Sequence, residues 1–459
     1  MALSNGGGQP GMFGKVEFPL PTVEKVAIEY HLDWLFRRFG IEPIQRLPTL
    51  TPDSDELQPF FADSSIARKG LLDFIASQYP FDCDGCEIAV WDGHAAPPLE
   101  PDLVLLSPEE HEHPVAMVNR MATHLAQRYI VRLPHTEWQS ADFAMLSELL
   151  ALYFGWGIFG ANMTLITSMY THGEWHEWKQ QKYTQIAARQ FGAALAYRFW
   201  LRNDPQEKKL DRYLRPDAQV PFRRALKYLR IRGDSLFNAT NHSSVFVAKS
   251  LQELQPFLFS TSDSQTTAAL RRVVELAKPG ELLDDESAMF LYQGLPDWLN
   301  SRDPSIRILA CRVADRFGNV EGEVLQCLKD RLSDTNAEIR QEATANIVYL
   351  AAPGQIQARD LRCSLKDHHF GTVKAAVQGI VYLQQIEEEL VPDLLRLIRR
   401  GSNDGQDDND LCFLVAALDT VCSNPEERLA EFLREDPEEM VNVTARLRDW
   451  RELSQQMGD

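Results

Sequence analysis

From Ala141 to Met169 the chain reads ADFAMLSELLALYFGWGIFGANMTLITSM, and from Leu149 onward this stretch carries no charged side chain. Glu148 stands at its front edge, with Asp142 further upstream. About 20 consecutive apolar residues suffice to cross a bilayer. Gly155, Gly157 and Gly160 crowd the middle, however, and each lowers helix propensity by about 1 kcal/mol relative to alanine. No cluster of Lys and Arg flanks the run to set an orientation. The stretch therefore predicts a buried core helix of a large domain and no membrane association. The same glycines spell G-x-G-x-x-G, but a dinucleotide fingerprint needs a strand before it and an acid about 20 residues after it. Here an amphipathic helix comes first, so no cofactor is expected.

Length and charge bound what surrounds this stretch. At 459 residues the chain predicts two domains or three, and 44% hydrophobic residues are enough for a large core. A net charge of -19 argues against nucleic acid or an anionic membrane as the main partner. The opening MALSNGGGQPGMFG has neither a basic nor an apolar segment of the signal-peptide kind, and residues 1–14 read as disordered. Seven scattered cysteines suit a reducing compartment, so a cytoplasmic location is expected.

Upstream, Val23 to Gly40 repeats apolar residues at helical spacing and stops at a glycine, and Ser64 to Tyr79 reads as a second helix capped by Ser64 or Ser65. Glu87–Trp91 and Asp102–Leu106 read as strands. Cys83 and Cys86 form a lone C-x-x-C; with no second pair and no histidine at finger spacing, a turn holding two thiols is expected. A helix starts at about Pro114, with Val115, Val118, Ala122, Leu125, Ala126 and Tyr129 on one face. Helices are also expected over Gln185–Trp200 and Val220–Ile231, followed by a loose connection over 238–265.

Beyond that connection the chain repeats. Leu328, Leu361 and Leu394 stand 33 apart, as do Leu332, Leu365 and Ile398, and Ala310, Ala343 and Ala376. Ala314, Ile347 and Ile380 keep the step, and so do Phe317, Leu350 and Leu383. Small residues where helices touch, with leucines behind them at a fixed period, mark a helical solenoid. The units resemble HEAT-type repeats of the short bacterial kind. Asp303, Asp334 and Asp367 recur near the unit starts, where aspartate can cap a helix. Gly401 to Asp410 reads as an acidic flexible loop.

LVLLSPEEHEHPVAMVNRMATHLAQRYIV and ADFAMLSELLALYFGWGIFGAN together resemble an uncharacterised bacterial group of zincin-like proteins. In that group a strand leads into a helix bearing H-E-L-A-H, and a second helix brings an acid and the phrase L-G-x-G-I-F-x-A-N. The resemblance spans about residues 20–237. Two histidines one turn apart bind zinc, and the glutamate between them is the base for a metal-bound water. Here the register reads Thr123-His124-Leu125-Ala126-Gln127. Thr123 and Gln127 fall where the resemblance implies histidines, and His124 where it implies the glutamate. Ala144 falls where it implies a carboxylate ligand, while Glu148 keeps an acidic position one turn on. What this implies is a vestigial site with no metal. The alternative is a hydrolase of altered mechanism in which His124 works with Glu148 or Asp142.

The other histidines are read more plainly. His172 and His176 are four apart, which on a helix would make an adventitious metal site, but THGEWHEWKQQKY reads as a polar aromatic loop. Trp175 and Trp178 within it are expected to pack onto the domain, with a contact surface as the alternative. His111-Glu112-His113 reads as a solvated loop and His368-His369 as an exposed repeat turn.

The expected architecture is mainly α, with an α+β N-terminal part: a degenerate zincin-like domain over 15–240, with a small sheet, a linker over 241–265, and a HEAT-like solenoid over 266–459. The expected function is a non-catalytic scaffold whose repeat domain binds another protein.

Overall fold

A computed structural model describes residues 17–458 apart from 62–64, 84, 92–101, 135–142, 165, 173–174, 182–183, 204–206, 234, 237–243, 283–287, 353, 404–407 and 435–436. The N-terminal 1–14, the cap candidate Ser64, Asp142 and part of the acidic loop lie outside the described residues. The fold is mainly α, and the chain divides into two compact units, Met1–Ser244 and Val245–Asp459.

In the first unit α1 (Thr22–Phe39) is followed by a short α2 (Glu42–Arg46) and by α3 (Ser65–Ser77). β1 (Glu87–Val90) and β2 (Leu103–Leu106) pair in parallel, Glu87 opposite Leu103 through Val90 opposite Leu106. Val104 and Leu106 turn inward and are fully buried, the alternation expected of a half-covered strand. Next come α4 (Pro108–Glu112) and α5 (Pro114–Val131). His111-Glu112-His113 is exposed in part, but it is not a loop: His111 and Glu112 belong to α4, and His113 caps α5, its Nδ1 accepting the Ala116 N–H at 3.4 Å. Pro114 at the first helical position suits that cap.

The uncharged run does not form one helix. It breaks into α6 (Phe143–Tyr153), α7 (Gly157–Asn162) and a strand, β3 (Ile166–His172). The break sits at Gly155, whose φ of +105° is a conformation few L side chains adopt. A Cβ there would lie 2.4 Å from the Pro48 carbonyl oxygen, and Leu50 N–H donates to the Gly155 carbonyl at 3.0 Å. The polar stretch after it is no loop either. Trp175–Gln181 forms β4, antiparallel to β3, with Ile166 opposite Gln181 and His172 opposite Trp175. Ile166, Thr167, Tyr170 and Thr171 are β-branched or aromatic, residue types that fit a pleated pair. α8 (Ala188–Arg202), α9 (Glu207–Leu210) and α10 (Pro216–Arg232) complete the unit. α8 and α10 approach so closely that a Cβ on Gly192 would fall 2.2 Å from the Ala218 carbonyl.

α11 (Ser244–Val247) crosses the division, and α12 (Leu251–Leu258) follows within the stretch read as a linker. Ser250 caps α12, its Oγ accepting the Glu253 N–H at 3.4 Å, and Leu254 and Leu258 bury its inner face. The rest is α13 (Asp263–Leu276), α14 (Met289–Leu299), α15 (Pro304–Asp315), α16 (Gly322–Arg331), α17 (Ala337–Leu350), α18 (Arg362–Leu365), α19 (Phe370–Leu383), α20 (Val391–Asn403), α21 (Asp408–Val421), α22 (Pro425–Phe432) and α23 (Pro437–Gly458). From α13 to α23 each odd-numbered helix packs on the next odd-numbered one, while α14, α16, α18, α20 and α22 each pack against the helix that follows. The alanines 310, 343 and 376 are fully buried at the contacts of the first row, and Leu328, Leu361 and Leu394 are fully buried behind them.

Candidate functional site

α5 packs directly on α6, so the helices that would carry a zincin-like centre lie against each other. On α5 Thr123 is buried and His124 and Gln127 are half-buried; on α6 Ala144 is half-buried and Glu148 buried. Glu148 has a defined task. Its Oε1 accepts the Gln185 N–H at 2.6 Å and its Oε2 the Ile186 N–H at 3.0 Å. A carboxylate receiving two main-chain donors makes strong charge-assisted bonds, and here they fasten the segment leading into α8 onto α6. Among the described residues no group of three or more His, Cys, Asp or Glu side chains is placed to hold a metal ion.

The ends of α1, α5 and α6 meet in an aromatic cluster. Phe81 stacks on Tyr129 at 4.1 Å, and Phe154 meets Phe39 and Tyr79 edge-on, each at 5.2 Å. Phe154 and Trp156 are buried.

Sequence reading missed a buried cation beside this cluster. Arg198 on α8 is 1% exposed. Its Nε donates to Thr49 Oγ1 at 3.1 Å, its Nη2 to the Leu47 carbonyl at 2.8 Å, and its Nη1 to the Tyr153 carbonyl. Burial, with the neighbouring Arg202, draws its pKa down to about 9, so the side chain is still charged at neutral pH. The acceptors lie 45 to 151 residues away in the chain, so no local pattern announces them. Asn162, last residue of the G-x-G-I-F-x-A-N phrase, also has structural work: its amide donates to the Tyr213 carbonyl at 2.7 Å, and its oxygen accepts the Arg215 N–H at 3.0 Å.

The remaining candidates separate. Cys83 and Cys86 are both buried. Burial and the adjacent Cys86 push the Cys83 thiol up to about 12, and burial raises Cys86 too, which leaves both as neutral, unreactive thiols at pH 7. His172 and His176 lie in β3 and β4, His176 opposite Thr171, so helical spacing does not relate them; their side chains, with those of Trp175 and Trp178, lie outside the described ones. His368 is exposed, whereas His369 is half-buried at the start of α19.

In the second unit Asp303 caps a helix as expected, while Asp334 and Asp367 are drawn into ion pairs. Asp303 caps α15, accepting the Ser305 N–H at 2.7 Å, but α17 is capped by Asn336. Asp334 instead receives a two-pronged guanidinium from Arg307, at 2.8 and 2.9 Å. Asp367 receives the same from Arg340, at 2.5 and 2.8 Å. Each arginine also donates Nη1 back to the turn preceding its own helix, Arg307 to Ser301 O and Arg340 to Asp334 O, both at 2.8 Å. The two rungs are copies 33 residues apart. Burial works to raise the Asp334 carboxyl, but Arg307 and the Asn336 N–H outweigh it and hold it below the ordinary range. Arg340 first, then the His369 N–H, hold Asp367 down against burial. The signal was present in the sequence as Arg307/Arg340 and Asp334/Asp367 at the repeat step; the pairing partner 27 residues on was not evident from it.

Comparison with known protein families gives no match, and no curated protein matches the chain. Among the described residues no helix is long and apolar enough to cross a membrane.

Proposed function

We propose that the protein is a non-catalytic, cytoplasmic interaction protein, in which a pseudo-metallopeptidase domain precedes a HEAT-like arm that holds another protein. The observation that carries this is the fate of the α5–α6 pair. Thr123 and Gln127 stand where two imidazoles would be needed, and the one retained acid, Glu148, serves two backbone N–H groups. A threonine, a glutamine and a single histidine form a poor first shell for zinc. The 33-residue copies of the Arg–Asp rung support the arm as an array of repeats. Such arrays present extended surfaces to partners, and the net charge of -19 disfavours a nucleic-acid ligand.

The test is metal analysis of the purified full-length chain, paired with cross-linking to bound proteins. The expected result is no stoichiometric transition metal and a protein partner cross-linked to residues beyond 266. Near-stoichiometric zinc that is lost on Glu148→Gln would overturn the reading in favour of a hydrolase using His124 and Glu148.

A further inference from the structure

The outward side of α10 carries cations with no counter-charge of their own. Ala218, Phe222, Ala225, Leu226 and Leu229 are buried against the first unit, and the opposite side is exposed. The helix holds Arg223, Arg224, Lys227, Arg230 and Arg232 against a single acid, Asp217. Val220 and Ile231, 52% and 58% exposed, stand among them. Lys227 lies one turn from Arg223, Arg224 and Arg230, three like charges at the spacings where opposite ones would help the helix. Arg223 is held by Asp211, in the turn before α10, at 2.6 Å. Arg224 and Lys227, whose neighbours along α10 all lie within the described residues, make no hydrogen bond or ion pair there. A groove of about 560 Å³ beside them is lined by Phe222, Leu226, Ile231, Lys227 and Arg230, and its one acid is the Asp211 already held by Arg223.

We infer that this side of α10 is the docking surface for a short acidic segment of a partner protein. The magnitudes favour a short segment over a membrane or a nucleic acid. α10 has 17 residues, about 25 Å of helix, a length that about eight extended residues cover. At physiological salt a charge is felt over about 8 Å, so such a segment meets the cations of α10 and little of the acid elsewhere. A long polyanion runs past the end of the helix onto a chain of net charge -19 and is repelled there. Carboxylates of the segment face Arg224 and Lys227, which gives Lys227 the opposite charge that its own helix withholds. An apolar residue between them covers Ile231, whose surface is otherwise left to water. The inference concerns the first unit and stands apart from the protein-binding role proposed for the repeat arm.

The test uses the full-length chain and a fluorescein-labelled peptide of about ten residues, long enough to cover the helix, with Asp and Glu around a central Leu pair, read by fluorescence polarisation. Binding with Kd on the order of 10 µM is expected. Arg224→Glu combined with Lys227→Glu should weaken it about tenfold or more, and Ile231→Ser about threefold, with the unfolding midpoint of each variant near that of the parent. Arg428→Glu combined with Arg434→Glu makes the same change of charge at exposed positions of the second unit and should leave binding unchanged. Equal binding of a peptide with Lys in place of the acids, or equal loss on the second-unit pair, overturns the proposal as non-specific attraction. No peptide binding at about twentyfold the expected Kd overturns it outright. Phosphatidylserine vesicles that bind the parent and not the Arg224→Glu, Lys227→Glu variant, with no peptide bound, would assign the face to a membrane instead. Self-association of the parent, seen by sedimentation and lost in the same variant, overturns the proposal too, since the occupant would then be a second copy of the chain.

Discussion

Glu148 in the first unit and Asp334 and Asp367 in the second are all inward-facing carboxylates with charge-assisted partners, yet they are organised differently. Glu148 is served by two backbone N–H groups, used once, from a segment 37 and 38 residues on. Asp334 and Asp367 are served by guanidinium forks at a separation of 27 residues, and the arrangement is copied. The first unit is thus tied by single contacts over long stretches of chain, with Arg198 as the extreme. The second is tied by a contact between neighbours. Losing a tie should cost more in the first, where nothing repeats it.

The sharpest test of that contrast is Arg198→Met. It leaves the Tyr153 carbonyl and the Thr49 hydroxyl without their buried donor and the Leu47 carbonyl with Arg202 alone, and about 3–5 kcal/mol of stability should be lost, measured by urea unfolding. Gly192→Ala comes next. The new methyl meets the Ala218 carbonyl, α8 and α10 must separate, and about 2–3 kcal/mol is expected by the same measurement. Glu148→Gln retains one acceptor oxygen for two N–H groups and should cost about 2 kcal/mol. A loss near zero would show that the Gln185–Ile186 anchor is dispensable and weaken the structural account of this acid.

The rungs should be cheaper. Asp367→Asn or Arg340→Met is expected to cost about 1–2 kcal/mol, and a double-mutant cycle should recover most of it as coupling. A cost equal to that of Arg198→Met would remove the distinction between the units. The pH dependence has a definite sign. Asp334 and Asp367 have carboxyls held below their ordinary values. Their contribution is complete above the unfolded-state pKa of about 4 and drains away as pH falls through the lower folded values. Asp334→Asn with Asp367→Asn should therefore flatten the acid limb of stability against pH, leaving the neutral region lower and the strongly acidic region little changed.

What could be read from sequence follows the same divide. Alanines and leucines at the repeat step marked buried positions in the second unit because each recurs in the same surroundings. The strands at Glu87–Val90 and Leu103–Leu106 were visible from their local composition. The long uncharged run misled because hydrophobicity reports burial and not the path of the chain. The break falls where Gly155 meets Pro48, over a hundred residues away in the chain. The β3–β4 hairpin was hidden by its polar composition, and Arg198 by the distance to its acceptors. For Glu148 an acidic residue on α6 was legible, but its pairing with main-chain N–H groups was not, since main-chain donors carry no sequence signature.

The Glu148 anchor bears on how the molecule tolerates change. Met163 and Thr164, just before β3, and Thr184 and Ile186, just after β4, are all buried, so the hairpin is anchored at both ends, the second clamped by Glu148. A ribbon held at both ends can be lengthened at its tip without disturbing what lies beneath. An epitope or a fluorophore inserted between His172 and Trp175, far along the chain from both anchors, should therefore leave the core intact.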